Sequence, residues 1–330
     1  MKKKVISSLI LGFITLSIYS QEALKTIEED YYDFLSVNGV IERPALGYRT
    51  LSDSVWNLDD SVEHLWKNNN LGNSISLFDF ETSKENFFLH GINKSVKLKV
   101  FGPLWFNSYN TKVPYGQNDG ALWQGVGYNT SLTGGIRLEA LGFEATFKPL
   151  ITWNQNKDFE YLPGIYGDAH SYFWGGNIDL VQRYGDTSFW QFDFGDSEIR
   201  YTFYNFTVGF GTQSPWLGPA KLNPMLGSNN AGTYPKFDFG LRKTDLIIPG
   251  LEWNLGKLES RIWIGQLHES DYFPLITQPE IQNNIRKDIN NINGFNVSYS
   301  PSIFPEVTVG ATKVCVTRWG NNFWKYINPF

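Results

Sequence analysis

The chain has 330 residues, 16% of them aromatic, a formal net charge of -5 and a mean hydropathy of -0.29. A net negative balance argues against nucleic acid as a partner, and the single cysteine, Cys315, excludes an internal disulfide. With 25 Phe, 17 Tyr and 12 Trp dispersed among polar residues, the composition fits strands with one apolar and one wet face better than two soluble domains or a soluble β-sandwich.

Residues Met1 to Ser20 begin with Lys2, Lys3 and Lys4, continue through an apolar run from Val5 to Tyr19, and end on Ser20 before Gln21. This is the pattern of a secretory signal peptide cleaved after Ser20. The run is shorter than the roughly 20 residues that a spanning helix needs. Removing three lysines takes the charge from -5 to about -8. No cysteine lies near the cleavage site, so a lipid-anchored N-terminus is not expected.

From Glu22 to Val37, Ala23, Leu24, Ile27, Tyr31, Phe34 and Leu35 recur near helical spacing, with acidic residues between them. A short amphipathic helix is expected there, ended by Asn38-Gly39. A second helical piece is expected from Ser52 to Trp66, capped by Ser52 or Asp53. Residues 21–94 thus read as a helical segment on the periplasmic side, ahead of a β-barrel occupying residues 95–330.

At Ser95 the period changes to two. Val96, Leu98 and Val100 share one face, Lys97 and Lys99 the other. A polar, glycine-rich loop follows, carrying Tyr115, Gln117, Asn118, Asp119 and Trp123. Its glycines allow close backbone approach to a ligand, its amides and carboxylate supply donors and acceptors, and its aromatic faces suit the apolar side of a sugar ring. An ordinary surface loop would share this composition.

The next stretch predicts a hairpin. A two-residue turn at Leu141-Gly142 pairs residue 140 with 143, 138 with 145 and 136 with 147, which places Ile136, Leu138, Ala140, Phe143, Ala145 and Phe147 on one face. Arg137, Glu139, Glu144, Thr146 and Lys148 take the opposite face. The same change of parity occurs across Tyr204-Asn205, between Ile199, Tyr201, Phe203 and Phe206, Val208, Phe210. It occurs again between Leu251, Trp253, Leu255 and Leu258, Ser260, Ile262, Ile264, where a turn is expected at Gly256-Lys257. A looser turn from Pro301 to Pro305 joins Phe295, Val297 and Tyr299 to Val307, Val309 and Ala311.

Long polar segments separate these turns, at Trp153 to Ser188, Gln213 to Lys236 and His268 to Asn291. Short turns at one end and long loops at the other, with apolar and charged residues alternating, predict an all-β, antiparallel, meandering outer-membrane barrel. Following chain direction gives nine strands ending near Val314, and since an even number is needed to return the chain to the periplasm, either Phe323 to Phe330 makes a tenth or the barrel is incomplete.

Gly195-Asp196-Ser197 resembles the nucleophile block of some serine esterases, but it lies between two β segments, beside an expected bulge. None of His64, His90, His170 and His268 sits in a recognisable acid-histidine motif, so a hydrolase is a lesser reading. Paired carboxylates for glycoside cleavage stay open, since Asp and Glu are plentiful. The histidines and Cys315 show no metal-ligand spacing and no D-x-D-x-D-G run occurs, so neither metal nor cofactor is expected. A diffusion porin is a further alternative, because a charged lumen would serve it equally.

Several stretches together resemble the Wzi-type capsule assembly proteins. They are Y-G-Q-N-D-G-A-L-W-Q-G-V-G-Y-N at 115–129, S-L-T-G-G at 131–135 and G-D-S-E-I-R-Y at 195–201. V-G-F-G-T-Q-S-P-W-L-G-P-A-K-L-N-P at 208–224, S-N-N-A at 228–231, F-D-F-G-L-R-K-T at 237–244 and Y-D-F-L-S-V-N-G-V-I at 32–41 continue the likeness. The resemblance implies an outer-membrane β-barrel lectin with a periplasmic helical segment, without enzymatic activity. Such a protein retains capsular or extracellular polysaccharide at the cell surface. The family's barrel is larger, roughly 18 strands, so this chain, with about half that number, departs from it as a shortened member. As saccharide contacts we expect Tyr115, Asn118, Asp119 and Trp123 in the first loop and Trp216, Asn229 and Asn230 in the third. The likeness carries the motif rather than the role of each side chain. The expected partners are polysaccharide and outer-membrane lipid.

Overall fold

The computed structural model describes residues 27–49, 63, 65, 75–79, 95–160, 183–218, 220, 224, 226–268 and 290–319. The expected signal peptide, the helical piece from Ser52 to Trp66 and the stretch Phe323 to Phe330 lie wholly or almost wholly outside them.

Helix α1 spans Ile27–Val37. It stops where the sequence indicates, for a stated geometric reason. Gly39 takes φ 71°, and the amides of Gly39 and Val40 donate to the carbonyls of Ser36 and Leu35 at 3.1 and 3.0 Å. That is a Schellman closure, which needs the left-handed residue that glycine supplies most easily. Tyr32 and Leu35 bury against Ile41 on the returning chain.

The strands are β1 (Ile75–Asp79), β2 (Ser95–Asn110), β3 (Gly127–Ala140), β4 (Phe143–Phe147), β5 (Leu150–Asn154) and β6 (Phe189–Asp193). They continue as β7 (Glu198–Phe203), β8 (Phe206–Gly211), β9 (Lys236–Ile248), β10 (Trp253–Leu267), β11 (Asn290–Pro301) and β12 (Val309–Arg318). All pair antiparallel in one sheet of order β1-β2-β3-β4-β7-β8-β9-β10-β11-β12, with β5 beside β3 and β6 beside β5. β4 and β5 lie one after the other along β3, interrupted at Lys148-Pro149, where proline has no N–H for the ladder. β7 and β6 continue this arrangement beside β4 and β5. From Ser95 on, the nine expected rows are therefore present, and β1 adds a tenth. β1 and β12 end the path and do not pair with each other among the described residues, so the sheet is an open meander.

Two hairpins have the expected register. Ala140 faces Phe143 and Ile136 faces Phe147, while Phe203 faces Phe206 and Ile199 faces Phe210. The looser turn also joins its strands, with Tyr299 opposite Val309 and Val297 opposite Ala311.

Two expectations need correction. The turn between β9 and β10 lies at 249–252, not at Gly256-Lys257, which are inside β10. The change of parity is real, but a bulge causes it: the register with β9 shifts between Asn254 and Lys257. Gly256 sits there at φ 131°, and a Cβ on it would lie 2.2 Å from the Ser300 carbonyl oxygen. A bulge and a turn both move apolar side chains by one residue, so alternation alone does not separate them. The stretch 21–94 is also not purely helical, because β1 lies within it and pairs with β2. Five residues are too few for alternation to register against the polar sequence around them.

The two faces of the sheet are unlike. Ile136, Phe147, Ile199, Phe210, Phe239 and Val309 are exposed on one face. Arg137, Glu144, Glu198, Arg200, Asp238 and Arg261 are buried on the other. The buried charges neutralise one another along the sheet: Arg137 meets Glu139 and Glu144, Arg242 meets Glu144, and Arg200 and Arg261 both meet Asp238. Residues 41–49 cross this polar face, where Tyr48 packs with Leu217 and Trp263.

Candidate functional site

The long-loop end and the polar face each carry a cluster. At the loop end, residues 113–126 and 212–235 dock through backbone and amide contacts. Gly120 N–H donates to the Asn229 carbonyl at 2.7 Å, Asn229 Nδ2 donates to the Asn118 carbonyl at 2.8 Å, and Asn118 N–H donates to Asn230 Oδ1 at 3.2 Å. Asn118 adopts φ 59°, a region that asparagine tolerates better than most residues. Asp193, at the end of β6, anchors the far side, accepting from the N–H and Oγ1 of Thr233 at 2.9 and 2.6 Å.

The first and third loops thus form one surface. The expected sugar contacts divide within it. Tyr115 is 68% exposed and Asn230 is exposed, so both can meet a ligand. Asn118 and Asn229 are buried and bind the two loops together. Trp123 is half-buried, edge-on to Tyr184 with ring centroids 4.5 Å apart. Trp216 is only 7% exposed and lines a cavity on the polar face rather than the outer loop surface.

Asp119 closes the first loop on itself, accepting the Gln117 N–H at 2.7 Å. Burial pushes its carboxyl up to about 6, against hydrogen bonds from Gln124 and Gln117 that oppose the rise. It is therefore a loop carboxylate that gains a proton in mildly acidic solution.

On the polar face, the chain segment 42–49 is held at three points, none of which sequence spacing indicated. Glu42 contacts the Nζ atoms of Lys243 and Lys257, and those two ammonium groups lower its carboxyl to about 2. Glu259 accepts the successive amides of Leu46, Gly47 and Tyr48 at 2.8, 2.6 and 3.2 Å. Arg49 reaches Glu29 on α1 and Asp196 between β6 and β7, with both pairings bidentate at 2.7 to 2.8 Å. Apart from Glu29, 20 residues from Arg49, these partners lie about 150 to 210 residues away in sequence, and only folding brings them together.

Asp196 belongs to the esterase-like triplet and here serves as the counter-ion of Arg49. Ser197 Oγ accepts the Lys148 N–H at 2.9 Å and donates to the Phe194 carbonyl at 2.5 Å. Both bonds go to backbone, in the gap between β6 and β7 and beside the interruption at Lys148-Pro149. Among the described residues, no group of three or more His, Cys, Asp or Glu side chains could hold a metal ion. No described helix is long and apolar enough to cross a membrane, which leaves strands unaddressed.

Between residues 43–49 and strands β11 and β12 lies a cavity of about 450 Å³. Trp216 and Tyr48 line it together with Asn296, Ser298, Thr308 and Thr312. Trp216 is fixed by its Nε1–H, which donates to the Ala220 carbonyl at 2.8 Å. No protein-family model, curated protein or solved structure matches the chain.

Proposed function

We propose that this chain is an outer-membrane β-sheet protein of the Wzi-type kind that holds polysaccharide at the cell surface and is not an enzyme. One observation carries the membrane placement: the sheet is inverted relative to a soluble protein. Arg137 is 1% exposed while Phe147 and Ile136 on the same hairpin are 52% exposed. In water this arrangement would leave a large apolar face uncovered. In lipid it satisfies both faces.

Aromatic residues at both ends of the apolar face support the same reading. At the long-loop end, Trp105, Tyr109 and Trp190 are exposed, and Trp153 lies within ring contact of Tyr128 and Trp190. Near the short turns, Phe143, Tyr204 and Trp253 are exposed. Amphipathic rings at two levels are the usual boundary of a membrane-spanning β-structure. The polysaccharide assignment rests on the family resemblance and on the joined loops, with Tyr115 as the accessible ring and Asn230 as an accessible amide. Asn118, Asp119 and Asn229 shape that surface from within.

The decisive experiment is made on cells. The wild-type chain is expected in the outer-membrane fraction, with surface polysaccharide retained. Tyr115→Ala and Trp123→Ala should release polymer into the medium at unchanged protein level. Retention unchanged in both variants would remove the loop assignment, and recovery of the chain as a detergent-free soluble monomer would remove the membrane placement. The polar segment across the inner face argues against a diffusion pore, and an absence of conductance in planar bilayers is expected.

A further inference from the structure

We propose that the cavity beneath residues 43–49 is a second saccharide site, separate from the outer loops and specific for a short neutral oligosaccharide. Its volume of about 450 Å³ lies within the ordinary range of small-molecule sites. One wall is aromatic and rigid. Trp216 is buried to 7% exposure and tethered by its indole N–H, so the lining contains an aromatic ring held in one place.

The lining also carries hydroxyl and amide groups on β11 and β12. Asn296 Nδ2 donates to Thr312 Oγ1 at 2.7 Å, and Ser298 Oγ donates to Asn296 Oδ1 at 3.3 Å. This chain of bonds leaves the Thr312 hydroxyl proton available to a ligand acceptor. Thr308, also in the lining, adds a hydroxyl that both donates and accepts. A tethered ring and several hydroxyls in one lining are suited to a sugar, which offers a C–H face on one side and hydroxyls around its edge.

The charges of the cavity explain why the ligand should be neutral. Arg43 is paired with Asp33 at 3.3 Å, and Arg49 is held by Glu29 and Asp196. Two cations therefore meet acidic partners within the wall, and an anionic ligand would have to compete for them.

The site deepens the polysaccharide reading and can fail independently of it. The test uses the full chain in detergent micelles, with maltotriose, cellotriose and mannotriose as probes, followed by saturation-transfer NMR and calorimetric titration. At least one trisaccharide should bind. Trp216→Ala should weaken it at least tenfold and Thr312→Val several-fold, while Trp216→Phe, which keeps a ring and guards against misfolding, should retain most of the affinity. The proposal is overturned if no probe shows saturation transfer, or if Trp216→Ala with unchanged circular dichroism binds as tightly as the wild type. Absence of polymer retention on cells expressing the wild type would instead sink the outer-loop reading and leave the titration result standing.

Discussion

Asp119 shows how one side chain can make the outer surface respond to pH. Its folded carboxyl stands at about 6, above the ordinary 3.8, because the loop removes it from water. The folded loop therefore binds the proton more tightly than the unfolded one. The resulting stabilisation is full below 3.8 and is lost as pH rises through about 6. Asp119→Asn should flatten that dependence, measured as protease cleavage within residues 115–126 between pH 4 and 7. A second residue, Asp196, has the opposite character, since it is fully buried against Arg49. Asp196→Asn removes one of the carboxylates paired with a buried guanidinium, at a cost of roughly 3 kcal/mol. Denaturant unfolding in detergent should show this as a lower midpoint.

The segment Leu46 to Tyr48 crosses the polar face with almost no regular structure of its own, and a single carboxylate substitutes for a ladder of backbone bonds. Three consecutive amides converge on Glu259. Glu259→Ala would leave them without an acceptor in a buried place and should destabilise the crossing by about 2 to 3 kcal/mol. Hydrogen exchange at Leu46, Gly47 and Tyr48 should rise accordingly, while exchange in β3 and β10 stays unchanged. At the lower end of the segment, Glu42 lies between two lysines and is largely exposed. Its depressed carboxyl gives stability that is present above 4.5 and lost as pH falls through about 2. Solvent screening keeps this contribution small. Glu42→Gln should therefore change the exposure of the segment to protease little at neutral pH.

For the molecule as a whole, the unlike faces of the sheet decide the environment. If the apolar face meets lipid, Phe210→Lys places a charge in hydrocarbon and should cost roughly 2 to 4 kcal/mol. The loss would be read as reduced insertion into lipid vesicles and loss of heat-modifiable migration. On a protein surrounded by water, the same exposed position, 58% accessible, should tolerate lysine within about 0.5 kcal/mol. The two environments thus give opposite outcomes for one substitution.

Much of the sheet was legible in the sequence because its information is local. Alternation at 136–147 and 199–210 specifies which side chains share a face, and the turn residues between them set the register. The helix end at Asn38-Gly39 is likewise a short-range matter of backbone conformation. The same periodicity misplaced the turn at Gly256, since a bulge shifts parity just as a turn does, and only the partner strand distinguishes them. Nor could spacing show that Trp216 faces inward, that Asn118 and Asn229 join two loops, or that Arg49 meets Asp196. Those contacts join residues more than a hundred positions apart. The chain by itself determined which side chains alternate. The tertiary structure decided which distant charges neutralise one another, because a buried ion finds its partner only when the strands between them have been laid side by side.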